Sequence, residues 1–69
     1  MTVEDLISDY EDVEDLDVVY IDHSGYGHIY EDEDIDFIDG LTLGMTVNKH
    51  MFKTETRHNK TIRALYIKC

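Results

Sequence analysis

Sixty-nine residues, 42% of them apolar, make a single domain (1–69) and leave little room for a ligand cavity. The net charge of −10 is unevenly divided: residues 1–40 carry fifteen acids and no Lys or Arg (−15), whereas residues 41–69 carry six Lys or Arg against Glu55 alone (+5). One cysteine, Cys69, excludes an internal disulfide, and apolar runs no longer than Val18 to Ile21 exclude a membrane-spanning helix.

The chain opens as a helix. Thr2 is a suitable N-cap, Asp5 sits at the third helical position, and Met1 and Leu6 are spaced as a hydrophobic staple. Val3, Leu6, Ile7 and Tyr10 repeat at helical spacing, with Val13 at the margin. Acids from Glu11 to Asp15 oppose the negative end of the helix dipole, so the helix is expected to stop between Tyr10 and Val13.

Leu16 to Asp22 is β-branched and aromatic, apolar on both alternations, and reads as a central strand. His23-Ser24-Gly25-Tyr26-Gly27 reads as a turn, and His28 to Glu31 as the returning strand of a hairpin. Residues 31–40 fit an extended edge segment, with one helical turn as the other reading. Gly40 and Gly44 punctuate a loop. Thr46 to Lys53 is expected as a strand, with Val47 and Met51 on one face and Phe52 on the other. Thr54 to Lys60 is expected as a polar connection. Thr61 to Lys68 is the last strand, with Ile62, Ala64 and Tyr66 opposite Arg63, Leu65 and Ile67. The fold class is α+β: one N-terminal helix packed on an antiparallel sheet of about four strands, divided into an acidic half (1–40) and a basic β-hairpin (41–69).

Several chemistries fail on spacing. A calcium loop beginning at Asp32 requires Gly at position 37 and Glu at position 43, where Phe37 and Leu43 stand. His23, His28 and Asp22 flank a glycine turn without a zinc-site pattern. Neither Ser8 nor Ser24 lies in a nucleophile elbow, and no glycine motif cradles a phosphate. No enzyme activity, cofactor or metal is expected. The start Met1-Thr2-Val3-Glu4-Asp5 lacks a basic-then-apolar run, so the expected location is the cytoplasm.

The acids themselves carry the functional reading. On an extended strand Asp32, Asp34 and Asp36 project to one side at about 6.8 Å intervals, a workable pitch for imitating a nucleic-acid backbone. Asp5, Asp9 and Asp12 add a second row at i, i+4 and i+7. The candidate contact set is Asp5, Asp9, Asp12, Tyr30, Glu31, Asp32, Glu33, Asp34, Asp36 and Asp39, with Tyr26 and Tyr30 as exposed aromatic anchors. The basic hairpin offers two further readings. In one, the acidic face of one copy meets the basic face of another, head to tail, in a homodimer or larger assembly. Alternatively Lys49, Lys53, Arg57, Lys60 and Arg63 could touch nucleic acid, which the net charge opposes at long range.

In length, net charge, expected α+β architecture and the acid-rich block Tyr30 to Asp39, the chain resembles the small acidic inhibitors that phages encode against host nucleic-acid enzymes: anti-CRISPR proteins, anti-restriction proteins and uracil-DNA glycosylase inhibitors. The resemblance implies a non-enzymatic, stoichiometric inhibitor working in the host bacterial cytoplasm. It would occupy the basic groove of a nucleic-acid-binding protein, most readily a CRISPR–Cas effector. The Lys/Arg-rich tail departs from the most acidic of these mimics.

Overall fold

The computed structural model describes residues 1–13 and 15–69; Glu14 lies outside the described residues. Helix α1 (Val3–Glu11) begins in a capping box. Thr2 Oγ1 accepts the Asp5 N–H at 3.2 Å, and the Asp5 carboxylate accepts the Thr2 N–H at 3.4 Å. Val3, Leu6 and Ile7 are buried, and Tyr10 is half-buried against Phe52. No cation stands in the last turn to offset the dipole, and the helix ends at Glu11, leaving Val13 exposed.

Strands β1 (Val18–His23), β2 (Tyr26–Glu31), β3 (Lys49–Arg57) and β4 (Lys60–Lys68) form one sheet in the order β2-β1-β4-β3. Two hairpins build it. Each closes through two residues with positive φ, Ser24 (54°) and Gly25 (83°) in the first and His58 (51°) and Asn59 (64°) in the second. That pair of signs is the type I′ turn, whose twist suits adjoining strands. Strand β3 thus runs on to Arg57, and the polar connection expected over 54–60 shrinks to His58 and Asn59.

The α+β architecture holds, with the N-terminal helix and four strands, but the sheet is mixed rather than purely antiparallel: β1 and β4 pair in parallel. The cause lies in residues 32–48. The extended edge expected there is a 3-10 helix (Asp32–Phe37), and the expected glycine loop holds a short helix α2 (Gly40–Leu43). This segment carries the chain from the end of β2 to the opposite end of the sheet. There Val3 donates to the Met45 carbonyl and Asn48 to the Lys68 carbonyl. Strand β3 therefore starts at the far end, and β4 returns beside β1 in the same direction. Burial explains the helical choice. Ile35 and Ile38, three apart, both reach the core when a turn of three residues separates them, Ile38 being the extended residue that ends the helix, whereas a continuous strand would point them to opposite faces.

The core lies between α1 and one face of the sheet: Leu6 and Ile7 meet Val19, Ile21, Leu65 and Ile67, with Leu16, Ile35 and Ile38 closing one end. Each fully buried Leu or Ile contributes roughly 1.5–3 kcal/mol. Val47 and Phe52 both pack on this core and Met51 is exposed; the irregular backbone at Asn48, ahead of β3, resets the alternation expected from Val47. Asp17 locks the parallel pair. Its N–H donates to the Arg63 carbonyl at 2.9 Å, and its carboxylate accepts the Arg63 N–H at 3.0 Å. Among the described residues no helix covers the other sheet face.

Candidate acidic interface

Acidic side chains from two segments come together where the end of α1 approaches the 3-10 helix. Glu11, Asp15, Asp32, Glu33 and Asp36 line a cleft of about 360 Å³ floored by Leu16 and Ile35. Asp32 (φ 49°) turns the chain sharply out of β2 while its N–H donates to the Asp17 carbonyl at 2.9 Å. The acids that follow are thereby turned toward α1. Glu11 responds to this setting: partial burial, then the carboxylates of Asp36, Asp15 and Asp12, push its pKa above the ordinary value. Among the described residues, Arg57 pairs with Glu55, and Arg63 pairs with Asp17, whose carbonyl also holds the Asp32 N–H at the margin of the cleft.

The 3-10 geometry revises the expected acid row. At three residues per turn Asp32, Asp34 and Asp36 diverge instead of projecting to one side. Glu33 and Asp36 become the aligned pair, about 6 Å apart along the axis. The same turn leaves the Phe37 ring 81% exposed beside Asp36. Isolated exposed aromatics of this kind serve as anchors at interfaces.

Of the expected contact residues, the cleft gathers Asp32, Glu33 and Asp36. Asp12 acts on it through Glu11, and Asp9 and Asp34 are exposed outside it. The rest have other positions. Asp5 belongs to the capping box. Asp39 caps α2, accepting from the Thr42 N–H (3.1 Å) and hydroxyl (2.7 Å), bonds that hold its pKa below the usual carboxylate range. Tyr30 is half-buried against the core rather than exposed, while Tyr26 is exposed at the hairpin turn. Glu31 is opposite Val18 and so lies on the uncovered sheet face. Glu11, Asp15 and Phe37 were missed as site residues. The alternation of Ile35 and Phe37 suggested a strand and hid the exposed ring, and nothing local in the sequence joins 11 and 15 to 32–36.

Among the described residues no group of His, Cys, Asp and Glu is arranged to hold a metal ion, and no helix is long and apolar enough to cross a membrane. No protein-family model, curated protein or solved structure matches the chain.

Proposed function

We propose that this protein is a non-enzymatic inhibitor whose acidic edge occupies a basic, nucleic-acid-binding groove of a bacterial protein, a CRISPR–Cas effector being the favoured target. The observation that carries the reading is the convergence of Glu11 and Asp15 with Asp32, Glu33 and Asp36, acids from two segments folded against one another. Carboxylates gathered this closely repel each other, and that repulsion adds to partial burial in raising the pKa of Glu11. A cationic groove relieves that repulsion by replacing mutual repulsion with pairing. Association is then fast and salt-sensitive, and Phe37 supplies the apolar contact that charge alone lacks.

The function is tested by expressing the chain in a bacterium with active CRISPR–Cas immunity and counting plaques of a targeted phage. Wild type restores plaques. Glu33→Lys with Asp36→Lys is expected not to, with circular dichroism of the variant as the check that it is folded. Full inhibition by the reversed variant removes the acidic edge from the mechanism. No plaques with wild type against a panel of effector types argues against this target class.

A further inference from the structure

The uncovered sheet face has a pattern that is independent of the acidic edge. Register places its side chains in three cross-strand rows. The first runs Glu31, Val18, Ala64, Lys53. The second runs Ile29, Tyr20, Tyr66, Met51. The third runs Gly27, Asp22, Lys68, Lys49. Within these rows acids stand on β2 and β1 and bases on β4 and β3, the middle row is apolar and aromatic, and Glu55, one step further along β3, is paired with Arg57. Tyr20 and Tyr66 stand at its centre, and their stacked rings, 4.5 Å apart and 2° from parallel, lean along the strands toward Glu55 and Arg57. Beyond them Ile29 (59% exposed) and Met51 (51%) flank an apolar groove of about 810 Å³. Apolar surface of this kind on a chain with a thin stability margin marks a contact surface.

We propose that this face binds a second copy of the chain, related by a two-fold axis that runs along the strands between β1 and β4. The charge pattern selects both partner and axis. This rotation lays β2 over β3 and β1 over β4 of the other copy, so each row meets itself reversed. Glu31 then faces Lys53 of the second copy, Asp22 faces Lys68, Ile29 faces Met51, and the tyrosine pairs meet at the centre. A two-fold axis across the strands would instead set β3 on β3 and oppose the lysines. Aligned sheet packing at about 10 Å spacing accommodates the arrangement, and flexible Met51 side chains can fill the groove. A single nucleic-acid strand fits less well. Glu31, Asp22 and Glu55 interrupt the cations, and Lys53 stands over the Tyr66 ring, 5.6 Å from its centroid.

The test is sedimentation equilibrium of the full chain with a charge swap. Glu31 and Lys53 are three strand spacings apart within one chain, about 14 Å, so they couple strongly only through the second copy. Wild type is expected to dimerise. Glu31→Lys and Lys53→Glu should each weaken dimerisation about tenfold or more, and the double variant should restore it. A wild type that stays monomeric to millimolar concentration overturns the proposal. So does a dimer indifferent to the single reversals, or one the double variant fails to rescue. Fluorescence anisotropy of a labelled single-stranded oligonucleotide gives the other arm. Oligonucleotide binding by monomeric wild type that Lys53→Glu abolishes would assign the face to nucleic acid instead.

Discussion

Tyr66 donates its hydroxyl proton to the Glu55 carboxylate across 2.5 Å, joining adjacent strands β4 and β3 on the uncovered face. Arg57 extends the link, donating to Glu55 at 2.8 Å and to the Tyr20 hydroxyl at 3.2 Å. The tyrosines thus lean along the strands, with Val18 and Ala64 buried on a face that no helix covers.

The hydrogen bond to Glu55 pushes the Tyr66 pKa up to about 12. The same bond, then that from Arg57, lowers the pKa of Glu55. The folded phenol holds its proton more tightly than an unfolded tyrosine at about 10. Its contribution to stability is complete below pH 10 and is lost as pH rises through about 12. Glu55 contributes above the ordinary carboxylate range, and its contribution is lost as pH falls through its lowered value. Tyr66→Phe is expected to delete the ionisation step near pH 12 from an absorbance titration of tyrosinate and to lower the melting temperature at pH 7. Survival of that step in the variant contradicts the assignment.

Glu11 has the opposite sign. Its folded pKa is raised, so it opposes folding at neutral pH, and the penalty is relieved as pH falls through that raised value. Glu11→Gln should stabilise the protein at pH 7 by a few tenths of a kcal/mol, about 1–3 °C in a domain of this size. The gain should shrink between 20 mM and 500 mM salt, because mobile ions screen a largely exposed group. Thermal melts at the two salt concentrations read both effects.

The second hairpin turn holds His58 and Asn59 at φ 51° and 64°, where type I′ turns favour Asn followed by Gly. Asn59→Gly is expected to raise stability by about 0.5–1 kcal/mol, or about 2–8 °C. Asn59→Val, which places a β-branched side chain in the left-handed region, should lower it. Thermal circular dichroism of the pair gives the comparison.

Local patterns were legible where one segment decides its own structure. The Thr2 cap, the Val3–Leu6–Ile7 stripe and the acids after Tyr10 place α1 to within a residue or two. The doubly apolar run around Val18 to Ile21 marks a central strand, and Leu65 and Ile67 oppose Ala64 and Tyr66 as the alternation requires. What escaped reading depends on distant partners. The alternation of Asp34, Ile35, Asp36 and Phe37 satisfies a strand equally well, and only the joint burial of Ile35 with Ile38 selects the 3-10 helix. The parallel pairing of β1 with β4 follows from how far residues 32–48 travel, a length that changes with that choice. The acidic segregation was visible in the chain, but its focus was not: Glu11 and Asp15 meet Asp32, Glu33 and Asp36 only after folding.

The central claim, that the acidic edge occupies a nucleic-acid groove, is tested most directly by competition. Tagged wild type and the Glu33→Lys, Asp36→Lys variant are incubated with bacterial lysate, washed, and eluted with duplex DNA at constant ionic strength. The account predicts that a nucleic-acid-binding protein is retained by wild type, released by the duplex, and not retained by the variant. Retention of the same proteins by both chains, or the absence of any protein that duplex DNA displaces from wild type, would contradict it.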